Sequence, residues 1–343
     1  MARKIPWASL VLVPVAIVAR YGLHADATAL FLLSAVALVP LAWLIGESTE
    51  HAAEHTGPGI GGFLNASFGN APELIIALLA VDNGLPGVVR GSLTGSVVSN
   101  LLLVLGAALI AGDSGRVDRR SLWLQIAAVG AAVLLLLVPS IPGWHGSPER
   151  HSLYVVTIPL AIVLLGGYLW LTVHNLRVHR ETEHGEAAEG AWSFATALGV
   201  LGAATVATAI VSEIMVHSLE AFGHAVGLSE FFIAIVIVAI VGNAAEHGGA
   251  IVIAAKGNLK LATEIAITSS LQVLVFVTPA IALLSVAVGA GLPLAFRPIE
   301  MATLAIATVA AALVVADSRG TRTEGIGLVA LYGAIVAGYL VFG

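Results

Sequence analysis

Two glutamates, Glu73 and Glu246, stand inside apolar runs, "GNAPELIIA" over 69–77 and "GNAAEHGGA" over 242–250. A bare carboxylate is among the costliest groups a membrane-embedded helix can carry. Each glutamate follows an asparagine by three residues, Asn70 and Asn243, which places amide and carboxylate on one helical face. Gly69, Pro72 and Gly242 loosen the helices here, and Pro72 withholds its own N–H while disturbing the carbonyl one turn earlier. Carboxylates beside freed backbone carbonyls, with those of Gly69 and Gly242 among them, make a hard, oxygen-rich environment suited to Ca2+ rather than to a soft metal. The chain has no cysteine, so thiolate metal sites and disulfides are excluded. The competing reading is a structural pair of neutral, hydrogen-bonded glutamates; the twofold recurrence favours an ion path.

The recurrence extends beyond the glutamates. The differences 242−69, 243−70, 246−73 and 269−96 all equal 173, so Gly69, Asn70, Glu73 and Ser96 reappear as Gly242, Asn243, Glu246 and Ser269. An offset that does not drift marks an internal duplication. Ser92, Ser96 and Ser99 share a helix face in the first copy, and Ser269 and Gln272 do so in the second, with Gln272 at the place of Ser99. Two roles are open to each serine, close helix packing or ion contact; Gln272, large and deep, leans toward the site. His247 has Leu74 as its counterpart and is either a group that tunes the site or a satisfied bundle histidine. Further upstream, Glu50 pairs with Glu220 once a three-residue gap is allowed, as proton relay, gate, or ordinary interfacial charge. His51, Glu54 and His55 spell H-x-x-E-H, an intramembrane zinc-protease pattern that the second copy does not preserve.

These residues need long apolar elements to carry them. Of the 343 residues 58% are hydrophobic and 10% charged, and the mean hydropathy is +0.98. That excludes an ordinary soluble domain and gives an all-α polytopic membrane protein. Apolar runs between charge and Gly/Pro punctuation predict eleven transmembrane helices: M1 5–19, M2 27–45, M3 59–81, M4 88–111, M5 122–138, M6 153–173, M7 192–215, M8 231–255, M9 265–290, M10 299–316 and M11 325–342. M1 has the outline of a secretory signal and is expected to be retained. M3 and M8 are five crossings apart, and an odd number reverses direction. The expected organisation is therefore an extra helix at 1–22, repeat one (M2–M6) at 23–174, an acidic linker at 175–191, and an inverted repeat two (M7–M11) at 192–343. Eleven of the fifteen Lys and Arg residues fall on one side when the N-terminus is inside. The N-terminus is thus expected in the cytoplasm and the C-terminus outside. Inverted repeats exchange their conformations in alternating access, with the substrate near the midplane.

"GGFLNASFGNAPELIIALLA", "SLTGSVVSNLLLVLG" and "GLSEFFIAIVIVAIVGNAAEH" closely resemble the two alpha-repeats of the calcium/proton exchangers, a branch of the calcium/cation antiporter superfamily. The resemblance covers both halves in order, including the acidic segment; Pro72 stands where alanine or threonine is usual, and the acidic segment is short. It implies Ca2+ export against proton entry, with Glu73 and Glu246 as the ion ligands, Asn70 and Asn243 beside them, and Glu50 and Glu220 as the acidic residues of M2 and M7. The expected substrates are Ca2+ and protons, with no cofactor, no nucleic acid and no enzymatic reaction. The expected location is a prokaryotic plasma membrane. Proton-coupled exchange of Na+, K+ or Mn2+ at the same site is the alternative.

Overall fold

A computed structural model describes residues 4–112, 115–116, 119–178, 192–287, 289, 291–316 and 319–342. The later part of the expected acidic linker, 179–191, lies outside the described residues. Apart from a two-residue antiparallel pairing, Gly115 with Gly320 and Arg116 with Arg319, the regular secondary structure of the described residues is helical. Among the described residues eight helices are long and apolar enough to cross a membrane, nine when the bent pair Glu230–Gly242 and Ala244–Ala255 counts as one. Trp7–Tyr21 is a shorter apolar helix.

The sequence places the helix starts locally. Asp26, Ser193, Ser229 and Asn258 each accept, through a side-chain oxygen, the N–H three residues on, at 3.0 to 3.2 Å. Those caps satisfy amides that have no partner inside the helix. Gly227, at φ 71°, ends Phe194–Val226 in the left-handed conformation that favours glycine.

The expected boundary between M2 and M3 is displaced. M2 and the first half of M3 form a single 43-residue helix, Ala27–Gly69, which runs through Gly57, Pro58 and Gly59. On this helix His51 lies 3.8 Å from Glu47 and 3.5 Å from Glu54. The helix also packs along Phe194–Val226. Local pairing and packing thus override the helix-breaking composition. The rest of M3 is a twelve-residue helix, Ala71–Asp82.

The contacts divide the chain into two compact units. The first comprises Met1–Leu79, Gly166–Gly227 and Val241–Ala245. Its framework is the pair Ala27–Gly69 and Phe194–Val226, with Leu12–Tyr21 against both. Trp7 meets Trp43 edge-on at 5.4 Å and Trp192 at 6.0 Å, and the His51 ring stacks on Trp192.

The second unit comprises Ala80–Leu165, Leu228–Ile240 and Glu246–Gly343. Pro86–Ala111 is its centre, 83% buried over its most apolar stretch against 22% for Arg322–Val341. Gly106 and Gly325 let those two helices touch, since a Cβ on either would come within 2.8 Å of the other's carbonyl oxygen. Among the described residues three π-helical segments interrupt the α-helical ladder, Ser99–Val104, Ile233–Val238 and Val273–Val277; such segments recur at functional sites. Ahead of Pro298–Val315 runs a non-helical stretch in which Leu292, Leu294, Ala295 and Phe296 are fully buried. Backbone amides inside a bundle need acceptors. Those of Leu292, Leu294 and Phe296 donate to the hydroxyls of Ser285, Thr157 and Ser140.

Candidate cation-binding site

The duplication read from single residues is also present in the elements. The helices Ala71–Asp82 and Ala244–Ala255 are both twelve residues long, and 244−71 and 255−82 equal 173. Each begins right after an asparagine at which the preceding helix ends, Asn70 and Asn243, both 1% exposed. The second break bends the chain by 59°. Glu73 and Glu246 each occupy the first turn. There the positive end of the helix dipole favours a carboxylate. This is the physical reason a buried acid can stand at these two places.

In the first unit Glu73 is 8% exposed. A Cβ built on Gly242 would lie 3.5 Å from Glu73 Cγ and 3.5 Å from its Oε1. The motif glycine of the second copy therefore abuts the motif carboxylate of the first. Gly69 closes the helix ahead of Asn70.

In the second unit Glu246 is half-buried and accepts, at Oε2, a hydrogen bond from the Ser269 hydroxyl. Asn100 Nδ2 donates to Ser269 Oγ at 3.0 Å. The chain Asn100–Ser269–Glu246 thus joins a residue of the first copy to the carboxylate of the second. Ser99 is buried, and its hydroxyl donates to the Ser96 carbonyl at 3.1 Å within its own helix. Ser96 is 1% exposed on the same helix. Gln272 is half-buried as the last residue of Leu259–Gln272, directly before a π-helical segment. His247 is 7% exposed, and its Nε2 has no hydrogen-bond partner among the described residues.

The upstream acids stand apart. Glu50 is exposed on Ala27–Gly69, and Glu220 is exposed on Phe194–Val226, 3.9 Å from His224 Nε2. The zinc-protease pattern does not assemble. His55 Nε2 contacts the Trp192 carbonyl at 2.7 Å, while His51 faces Glu54. Among the described residues no three His, Cys, Asp or Glu side chains converge on a metal position.

Asn100 was invisible to the repeat comparison because its counterpart at an offset of 173 is Val273. The usable signal was its place four residues after Ser96, on the same helix face.

Residues 27–177 and 196–341 match the family described as sodium/calcium exchanger protein. The chain belongs to that family. Among its relatives, this exchanger-family chain is 32% identical to the Ca(2+)/H(+) antiporter of Aphanothece halophytica, over 97% of the chain and 95% of the relative. It is 35% identical to the Ca(2+)/H(+) antiporter ChaA of Bacillus subtilis (strain 168), over 93% and 94%. The solved structure of native YfkE superposes with a TM-score of 0.85 at 31% identity, covering 98% of this chain and all of the other. The H+/Ca2+ exchanger CAX, at 16% identity and a TM-score of 0.78, shares the fold. The resemblance read from the motifs is thereby borne out, and the exchanger-family chain is an integral membrane protein.

Proposed function

We propose that the protein exports Ca2+ from the cytoplasm in exchange for protons, with Glu73 and Glu246 serving one cation in alternating access. The observation that carries this is the matched placement of two carboxylates, each in the first turn of a twelve-residue helix that follows a break at a buried asparagine. Relatives described as Ca2+/H+ antiporters, aligned over nearly the whole chain, support the choice of ions.

With Ca2+ bound, the cation offsets both carboxylates. Without it, two poorly solvated negative charges are too costly to carry across, and protons take the place of the metal. Metal and protons therefore compete, and the empty, deprotonated site does not reorient. That restriction enforces exchange. Asn70, Asn243 and the backbone carbonyls of Gly69 and Gly242 supply further oxygens; Ser99 and Gln272 flank the ion from M4 and M9. Ser96, Ser269 and His247 support these groups. Glu50 and Glu220, exposed on the long helices, pass protons to and from water. Eleven crossings in two inverted repeats, the N-terminus in the cytoplasm and the C-terminus outside, give the membrane arrangement, with a prokaryotic plasma membrane as the location.

The test is Ca2+ flux into proteoliposomes under an imposed pH gradient, for wild type, Glu73→Gln and Glu246→Gln. Wild type is expected to move Ca2+ uphill, with an apparent KM that rises as pH falls on the Ca2+ side, and both variants to be inactive. Retained flux in either variant sinks the shared site. Movement of Na+, K+ or Mn2+ but not Ca2+ replaces the substrate and keeps the architecture.

A further inference from the structure

Thr268 immediately precedes the serine that holds Glu246, and it is itself held. Its hydroxyl donates to Gln125 Oε1 at 2.7 Å, and Gln125 Nε2 donates to Ser121 Oγ at 3.2 Å. Gln125 and Ser121 belong to Arg119–Gly143, which packs against Leu259–Gln272. Neighbouring residues on an α-helix project about 100° apart. A bond at Thr268 and another at Ser269 therefore fix the rotation of Leu259–Gln272 about its axis, which neither bond fixes alone. The helix needs fixing, because the π-helical segment Val273–Val277 follows at once and weakens the ladder that would otherwise transmit its setting.

The first copy shows what the hook replaces. At an offset of 173, Gly95 stands for Thr268 and Ser96 for Ser269. A Cβ on Gly95 would lie 2.0 Å from the Ile235 carbonyl oxygen, so that helix is held by direct contact with backbone. The second copy carries a larger side chain at this place and is held by a polar tether.

We infer that Gln125 and Thr268 are positioning residues: together they aim Ser269 at Glu246 and so tune the carboxylate that binds the transported cation. The effect on cation affinity rests on the exchange reading above; the effect on helix rotation does not.

Two measurements separate them. The chain has no cysteine, so the double variant Asn100→Cys with Ser269→Cys forms a disulfide only when those positions face each other. Its yield in membranes is expected to fall severalfold when Gln125→Leu or Thr268→Val is added. In the otherwise unaltered chain, each of those substitutions is expected to raise the Ca2+ KM by roughly three- to tenfold, with Vmax within about twofold. The two combined should be no worse than the stronger one, since they break the same bond. Unchanged cross-linking and unchanged KM overturn the proposal. A loss of Vmax and folded yield at constant KM and constant cross-linking also overturns it, as that is the mark of a merely structural contact. Reduced cross-linking in a protein whose wild type shows no pH-driven Ca2+ flux upholds the hook and removes the exchange reading.

Discussion

Where repeat one carries Gly95, repeat two carries Thr268, and the two helices are held at those places by different means. Gly95 leaves no room: the Ile235 carbonyl occupies the space a side chain would need. Thr268 fills its space and reaches 2.7 Å to Gln125. Glu73 lies against the glycine of the other copy, and Glu246 is gripped by a serine that is itself donated to by Asn100. A duplicated backbone therefore does not require duplicated chemistry. Helix lengths and breaks repeat at 173 residues, whereas Gly95 and Asn100 of the first copy have Thr268 and Val273 as their counterparts in the second.

The comparison can be broken where it claims equality. Glu73→Gln and Glu246→Gln should both reduce pH-driven Ca2+ flux to background; a large residual activity in one would mean that only its partner binds the ion. Where it claims difference, Gly95→Ala comes next in size. Forcing a methyl against a backbone carbonyl should cost about 1–3 kcal/mol or more and show as a lower melting temperature in detergent. Thr268→Ala should shift that temperature far less.

Ser269→Ala removes a hydrogen bond to a carboxylate and should raise the Ca2+ KM about tenfold. Asn100→Val makes repeat one resemble Val273 of repeat two and should raise it by about threefold, since it acts through Ser269. Ion-flux kinetics in proteoliposomes read both; reversal of their order would place Asn100 rather than Ser269 nearest the cation. The smallest effect belongs to Glu50→Gln and Glu220→Gln, which should change the rate by no more than about twofold, because an exposed carboxylate shares its proton-collecting role with water.

Much of this was legible in the sequence because it was local or repeated. The "GNA" stretches announced the breaks at Asn70 and Asn243, and the constant offset exposed the duplication. The predicted spans lie within a few residues of Pro86–Ala111, Pro298–Val315 and Arg322–Phe342. What escaped was non-local. Gly57–Pro58–Gly59 reads as a break, yet helix–helix packing carries Ala27–Gly69 through it. Gln125 and Thr268 are 143 residues apart, and no spacing rule links them. Asn100 escaped for a different reason: a search for what the halves share discards what one half alone possesses. The π-helical segments leave no compositional trace in runs such as "VLVFV".

The buried stretch before Pro298–Val315 bears on how the chain is made. Its amides at Leu294 and Phe296 find acceptors 137 and 156 residues earlier, on Thr157 and Ser140. During synthesis those hydroxyls enter the membrane long before the donors leave the ribosome. The second half thus completes itself on the first, and expressed alone it would lack acceptors for two main-chain groups. The halves are therefore not interchangeable parts, since the second presents main-chain donors whose acceptors belong to the first.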